Sequence, residues 1–309
     1  MSLVSAAAPF GAEPDALLDV AVRVAQNGQL PPQTLTEAAR TAASLAASIA
    51  PGKVRAAMEE VIMGKWLESG LQWLHDSGVL GVLLPELEAT VEFSQEAGRR
   101  HKDVWEHTKV VVRQSVPRPM VRWAALLHDI GKVPTRVMLP DGRVTFHRHA
   151  EVGARMFDTV SRRFGFERSE KSQVRFLILH HLRANAYEPG WTDAAVRRFD
   201  HEMGDHLTDL LDLSRADVTS RRPGRRQEAV ANIHALKERI LAIRALDARV
   251  PPLPPGLGNA IMEAFALPPS RRIGDLRKQC EDAVERGELE ERRDAAYYVD
   301  FLRRAGITG

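Results

Sequence analysis

The chain has 309 residues, 44% hydrophobic and 27% charged, with 43 basic and 41 acidic side chains and a net charge of +2. That length is enough to bury a real core, in one large unit or in several smaller ones, and a near-balanced charge admits a nucleic-acid partner without requiring one. The single cysteine, Cys280, excludes an intramolecular disulfide and a cysteine-based zinc site. No apolar run reaches the roughly eighteen residues of a membrane span. The start Met1-Ser2-Leu3-Val4 lacks the basic and apolar regions of a signal peptide, so the expectation is a soluble cytoplasmic protein with no membrane partner.

Aromatics are scarce at 6%, and Ala and Leu are abundant, which favours an all-α fold. Residues 1–12 read as a flexible tail. Leu18, Ala21, Val22 and Ala25 follow helical spacing, and Gly28 stops that helix. Thr34 with Glu37 is a capping-box pattern that predicts a second helix, with Leu35, Ala38, Ala42, Leu45 and Ile49 inward and Pro51 at its end. Val54, Met58, Val61 and Ile62 predict a third, closed by Gly64. Two shorter apolar segments, 66–74 and 79–84, lead to Pro85. Residues 13–98 are thus expected to form an N-terminal helical region with no catalytic cluster of its own.

Residues 99–222 hold most of the histidines. His107 lies in a helical pattern, and His128 and Asp129 are expected on the next apolar helix, from about Val121. Two short β-type runs around Asp141-Gly142 predict one hairpin over 136–146, the only strands expected. His149 follows, near a helix N-terminus, and His180, His181 and Asp217 fall on later helices. Arg221-Arg222-Pro223-Gly224-Arg225-Arg226 reads as a basic loop, and residues 251–255 as a stiff proline linker. Residues 223–309 form a C-terminal region, with two or three helices after 257.

His128 and Asp129 stand side by side in Leu126-Leu127-His128-Asp129-Ile130-Gly131-Lys132. An imidazole and a carboxylate inside an apolar run are costly unless something binds them, and divalent metal is the usual binder of such nitrogen–oxygen sets. Any one histidine alone is more often a surface or satisfied core residue; the succession His107, His128-Asp129, His149, His181, Asp217 changes that reading. Asp129 is expected to bridge two ions, one held with His107, His128 and Asp217 and the other with His149 and His181. Adjacent helical residues point about 100° apart, so only one of His180 and His181 can face the site. His181 is the choice, with His180 as its alternative, and His147 stands beside His149 as another. His75, His101, His201, His206 and His234 read as surface residues. Lys132, four residues past His128 and so on the same predicted helix face, is placed to meet a phosphate oxygen, or is only a helix C-terminal cation. Arg183 and Arg221 are the candidate contacts to a phosphate backbone.

Two cations about 4 Å apart clamp a phosphate and acidify a bridging water. The resulting metal-bridging hydroxide is expected to attack phosphorus, with Asp129 and Lys132 as the catalytic side chains. No serine or cysteine nucleophile is required, and the chain shows neither a nucleophile elbow nor a phosphate-binding glycine loop. The ions are expected to be Mn, Ni, Fe, Co or Zn, with Mg possible, in one or two copies.

His107, His128-Asp129 and Asp217 resemble the signature of the HD-domain phosphohydrolase superfamily, and His149 and His181 match its two-metal branches. A narrower similarity covers residues 13–305. Leu126 to Lys132, Asp141-Gly142-Arg143-Val144-Thr145-Phe146-His147-Arg148-His149, Trp191-Thr192-Asp193 and Ser214-Arg215-Ala216-Asp217 are similar to the HD region of bacterial tRNA nucleotidyltransferases, the CCA-adding enzymes. Ser77-Gly78-Val79-Leu80 and Leu83-Leu84-Pro85-Glu86-Leu87 resemble that family's neck, and Leu267-Pro268-Pro269-Ser270 its tail. The family's catalytic head would precede the neck, and this sequence shows no counterpart; Glu13-Pro14-Asp15-Ala16-Leu17 lacks the base-selecting motif. The resemblance therefore implies an all-α HD-domain fold flanked by helical bundles, without nucleotide addition. It implies a 2′,3′-cyclic phosphodiesterase or phosphatase acting on RNA 3′ ends or nucleotides, with tRNA as a possible partner. The alternatives are a hydrolase of free nucleotides or dinucleoside polyphosphates, and a non-catalytic tRNA-binding subunit.

Overall fold

Helices carry nearly all of the regular secondary structure among the described residues. A computed structural model describes residues 8–91, 93, 103–219, 223–248 and 251–307. The N-terminal helices are α1 (Ala8–Ala12), α2 (Ala16–Asn27), α3 (Gln33–Ala42), α4 (Pro51–Met63), α5 (Leu67–Asp76), α6 (Val79–Leu83) and α7 (Pro85–Glu88). Then come α8 (Val104–Gln114), α9 (Pro119–Leu127) and α10 (Lys132–Thr135). Strands β1 (Val137–Met138) and β2 (Val144–Thr145) form an antiparallel hairpin with Val137 opposite Thr145. The chain continues through α11 (His149–Arg163), α12 (Arg168–His180), α13 (Asp193–Met203), α14 (Leu207–Asp217) and α15 (Pro223–Asp247). Last are α16 (Leu257–Ala264), α17 (Arg271–Glu285) and α18 (Ala295–Arg304). The architecture is all-α, and the hairpin is the only sheet among the described residues. No helix among them is long and apolar enough to cross a membrane.

The expected helix stops hold in α2 and α4. Gly28 adopts φ +75° after α2 and donates its N–H to the Val24 carbonyl, a left-handed cap that glycine takes without strain. The expected capping box at Thr34 and Glu37 is not formed. Proline at position 32 takes the N-cap and α3 starts at Gln33, so Thr34 is already helical and Glu37 accepts from the Gln33 side chain at 3.3 Å. The inner face also differs: α3 stops at Ala42 and a 3₁₀ segment follows (Ala43–Ser48), turning Ala43 and Ala46 inward while Leu35 and Leu45 stay half-buried. The expected basic loop is not a loop over 223–226, and Arg221 and Arg222 lie outside the described residues. From Pro223 onward the chain is the first turn of α15, where a proline lacks no needed hydrogen bond and arginine is a good helix former.

The chain divides into two compact units at Ile240 and Leu241. In the first, α9 is buried on every side from Val121 to Leu127. Its Arg122 is buried too, and donates to the carbonyls of Ile62 at 2.6 Å and Ser115 at 3.3 Å. Two bidentate pairs join the N-terminal helices to the later ones: Arg55 of α4 with Glu170 of α12, and Arg163 of α11 with Glu86 of α7. The second unit has its own core, with Leu257, Ile261, Leu276, Cys280, Tyr298 and Leu302 all buried. Burial pushes the Cys280 thiol up to about 11.

Candidate metal centre

Five of the six predicted donors sit at helix ends or breaks, where a side chain can be aimed without competing with its own helix for space. His107 is the exception. It lies in α8, which Asp103 caps by accepting from the Trp105 N–H at 2.7 Å. His128 and Asp129 are not within the apolar helix, as expected, but just past its end: α9 stops at Leu127 and His128 is its C-cap. At this break two backbones come into close contact, and Pro134, which has no N–H for the Ile130 carbonyl, keeps the helix from running through. A Cβ on Gly131 would lie 2.1 Å from the His149 carbonyl, so the turn can press against α11 only with glycine there. Lys132 therefore starts α10 instead of sharing a helix face with His128. His149 opens α11 directly after Arg148, whose φ of +62° is unusual for a residue with a side chain. His181 caps α12, and Asp217 ends α14. Two bonds hold these ends together: Ser214 Oγ donates to the His181 carbonyl, and the Gln114 amide to the Ala216 carbonyl.

The six side chains converge on Asp129. Its Oδ2 lies 3.2 Å from His128 Nε2 and 3.4 Å from His107 Nε2. Asp217 Oδ1 completes that group, 3.0 Å from His107 Nε2 and 3.4 Å from His128 Nε2. The other oxygen, Oδ1, faces His149 Nε2 at 3.5 Å and His181 Nε2 at 4.0 Å, and those two nitrogens are 3.3 Å apart. One carboxylate thus serves two donor groups, each with its own imidazole pair.

Two observations fit this donor set to divalent ions. Asp129 Oδ1 is buried without a hydrogen-bond partner among the described residues, an arrangement that costs free energy unless a cation or water completes it. All four imidazoles are also held from behind. Nδ1–H donates to the carbonyl of Ala125 in His128, of Phe146 in His149 and of Ile178 in His181, at 2.7–2.9 Å, and His107 Nδ1 pairs with Thr219 Oγ1 at 2.9 Å. A backbone carbonyl cannot donate, so in the neutral rings of His128, His149 and His181 the Nε2 lone pair points inward, as ligation requires.

The electrostatics of the ion-free cluster say the same. Burial lowers the basicity of His128, but the Asp129 and Asp217 carboxylates outweigh it and raise that imidazole to about 10. Burial works against both carboxylates. Even so, His128 and Lys132 hold Asp129 far below the usual range, and His107 and His128 do the same for Asp217. His181 is pushed down to about 4 by burial and by the charge on His128, and His149 is lowered mainly by burial. Without metal, a proton on His128 supplies part of the missing positive charge.

The remaining candidates are dispersed. Lys132 Nζ is 2.7 Å from Asp129 Oδ2, at the centre itself. His180 turns away and packs against the Phe176 ring, centroids 4.4 Å apart and tilted by 50°, and His147 is exposed. Arg183 pairs with Glu202 at 2.6 Å and is not among the residues gathered at Asp129. Arg221 lies outside the described residues. Beside His149 an open cleft of about 380 Å³ is lined by residues 144–151 and Leu182. Sequence reasoning missed Thr219 and the three backbone carbonyls, because nothing in a one-dimensional pattern marks which acceptor will stand behind a histidine.

Residues 89–222 match the HD-domain family, and the cluster lies within them. The chain as a whole is similar to tRNA nucleotidyltransferases. It is 31% identical to the A-adding tRNA nucleotidyltransferase of Deinococcus radiodurans over 87% of this chain and 63% of that protein. It is 29% identical to the CC-adding tRNA nucleotidyltransferase of Thermus thermophilus over 81% of this chain and 56% of that one. A multifunctional CCA protein of Pseudomonas paraeruginosa is 31% identical over 52% of this chain and 36% of its own length. The chain thus spans less than two thirds of each of these relatives.

Proposed function

We propose that this protein is a cytoplasmic, metal-dependent phosphohydrolase that opens 2′,3′-cyclic phosphates, or removes terminal phosphates, on RNA 3′ ends or nucleotides. One observation carries the reading: the two oxygens of Asp129 face separate donor groups, Oδ2 toward His107 and His128 and Oδ1 toward His149 and His181. The donors are four imidazoles and two carboxylates, a set suited to Mn, Ni, Fe, Co or Zn more than to Mg. When bound, such ions polarise a phosphate oxygen and acidify a water. Two carboxylates leave a pair of divalent ions under-neutralised, so the centre presents net positive charge to a phosphate.

The protein's own groups do the positioning. Asp129 and Asp217 would supply the carboxylate ligands, and the carbonyls of Ala125, Phe146 and Ile178 keep three imidazoles in the ligating tautomer. Lys132 stays beside Asp129, where its ammonium meets the negative charge that develops on a phosphate oxygen. Arg183 and Arg221 are the proposed contacts to flanking phosphates; Arg183 exchanges Glu202 for one of them. The relatives are named for tRNA, which favours an RNA substrate, with residues 13–98 and 223–309 as the neck-like and tail-like regions that dock it.

The test is the purified protein, loaded with Mn²⁺ or Ni²⁺, on an oligonucleotide ending in a 2′,3′-cyclic phosphate. Turnover that depends on metal and is lost in Asp129→Ala is expected. No turnover with any of several metals would reject the reading. A length series separates RNA from free nucleotide, since an RNA enzyme gains kcat/KM with added nucleotides and loses it with salt.

A further inference from the structure

We propose that the cleft beside His149 seats the base of the nucleoside that carries the scissile phosphate, so that the base lies on the His149–His181 side of the centre. This rests on the phosphohydrolase reading above. The first observation is continuity. The cleft is lined by Phe146, His147, Arg148 and His149 on one stretch of chain and by Leu182 on another. The first stretch leads directly into one imidazole of the second donor group, and Leu182 directly follows the other, His181. No lining residue comes from α8, the turn after α9 or α14, which carry His107, His128, Asp129 and Asp217. A phosphate held at the centre therefore meets this cleft from the His149–His181 side.

The second observation is the character of the lining. Its charges cancel: Arg148 and Glu151 are both present, with Arg148 Nε 3.9 Å from Glu151 Oε1. A second phosphate would find no surplus of positive charge there, which argues against a polyphosphate chain. Leu182 is 46% exposed although its neighbour His181 is only 1% exposed, so a bulky aliphatic surface stands open beside a polar centre. His147 and Arg148 are exposed and offer flat imidazole and guanidinium faces. Flat groups beside an aliphatic surface, with no net charge, suit an uncharged planar heterocycle. About 380 Å³ lies in the range of small-ligand pockets.

The third observation is strain. Arg148 holds φ +62°, a conformation costing about 1 kcal/mol or more in a residue with a side chain, and it sits between the cleft and a donor histidine. Of the three non-glycine residues with positive φ among the described residues, Arg148, Ala266 and Arg292, only Arg148 borders a donor histidine. A free nucleotide and the last residue of an RNA share the same base chemistry, and the cleft takes either.

The experiment compares two substrates with the same five-membered cyclic phosphate: adenosine 2′,3′-cyclic phosphate and glycerol 1,2-cyclic phosphate, which has no base. With Mn²⁺-loaded protein, kcat/KM is expected to favour the nucleoside by about tenfold or more, the scale of one base stack. Leu182→Ala and Arg148→Gly, the second chosen because glycine accepts that φ, are each expected to shrink this ratio several-fold. An unchanged ratio in both variants, or a wild-type ratio near one, overturns the proposal. A trinucleotide with the same end distinguishes RNA from free nucleotide, and a base preference in either supports the cleft. If neither cyclic phosphate turns over with any of several metals, the phosphohydrolase reading fails. The cleft is then judged by calorimetric binding of adenosine 3′-monophosphate against inorganic phosphate: tighter binding of the nucleotide that weakens in Leu182→Ala supports it, and equal binding overturns it.

Discussion

Gly131 and His149 meet backbone to backbone. A Cβ on Gly131 would sit 2.1 Å from the His149 carbonyl oxygen and 2.6 Å from the Gly153 nitrogen. The turn that carries His128 and Asp129 is thereby pressed onto the first turn of α11, and the two donor groups are brought within reach of one carboxylate. Gly131→Ala must push these segments apart, because neither obstruction is a flexible side chain. The expected cost is about 1–3 kcal/mol, as for other overpacked sites, read as a lower urea midpoint. Bound metal per chain is expected to fall in the same variant.

Asp129→Asn keeps the shape of the bridge and removes its charge. Metal content by elemental analysis is expected to fall at both positions, whereas His181→Ala should spare the ion near His107. The metal-free protein is expected to lose stability in Asp129→Asn, because Lys132 and the protonated His128 lose the buried carboxylate that pairs with them. An unchanged metal content would show that Asp129 does not bridge.

The metal-free protein should be most stable near pH 6.5. His128 is raised from 6.5 to about 10, so its stabilisation is complete below 6.5 and is lost as pH climbs toward 10. His181 is lowered from 6.5 to about 4, so the unfolded chain takes up its proton first and stability falls as pH drops through that window. Asp129 and Asp217, both depressed, add a further loss below the ordinary carboxylate range. Chemical unfolding of chelator-treated protein across this range measures the curve. His128→Gln is expected to flatten the alkaline limb, and metal binding near neutral pH is expected to release protons.

Arg55 joins α4 to α12 through a bidentate pair with Glu170 and lies over the Phe166 ring at 4.3 Å. Its side chain is 15% exposed, so the pair is screened less than a surface salt bridge. Arg55→Ala is expected to cost about 1–3 kcal/mol, part charge-assisted hydrogen bond and part packing. A double-mutant cycle with Glu170→Gln separates the two contributions. Metal content should stay unchanged, because neither residue touches the cluster.

The amino-acid sequence by itself determined the helical class, the hairpin around Asp141-Gly142, the helix stop at Gly28 and the identity of the candidate donors. These are local properties: propensity, turn chemistry and the adjacency of His128 and Asp129 in an apolar run. Where local signals compete, spacing alone does not show which prevails: at Thr34 the proline at position 32 has already started the helix. Tertiary contact decided how the turn after α9 seats, because Gly131 approaches α11 there, although Pro134, which has no N–H for the Ile130 carbonyl, also bars one continuous helix. It also decided which of His180 and His181 turns inward, and which carbonyls stand behind the imidazoles. Those outcomes depend on where separate helix ends meet in space, and a pattern along one chain carries no information about that meeting.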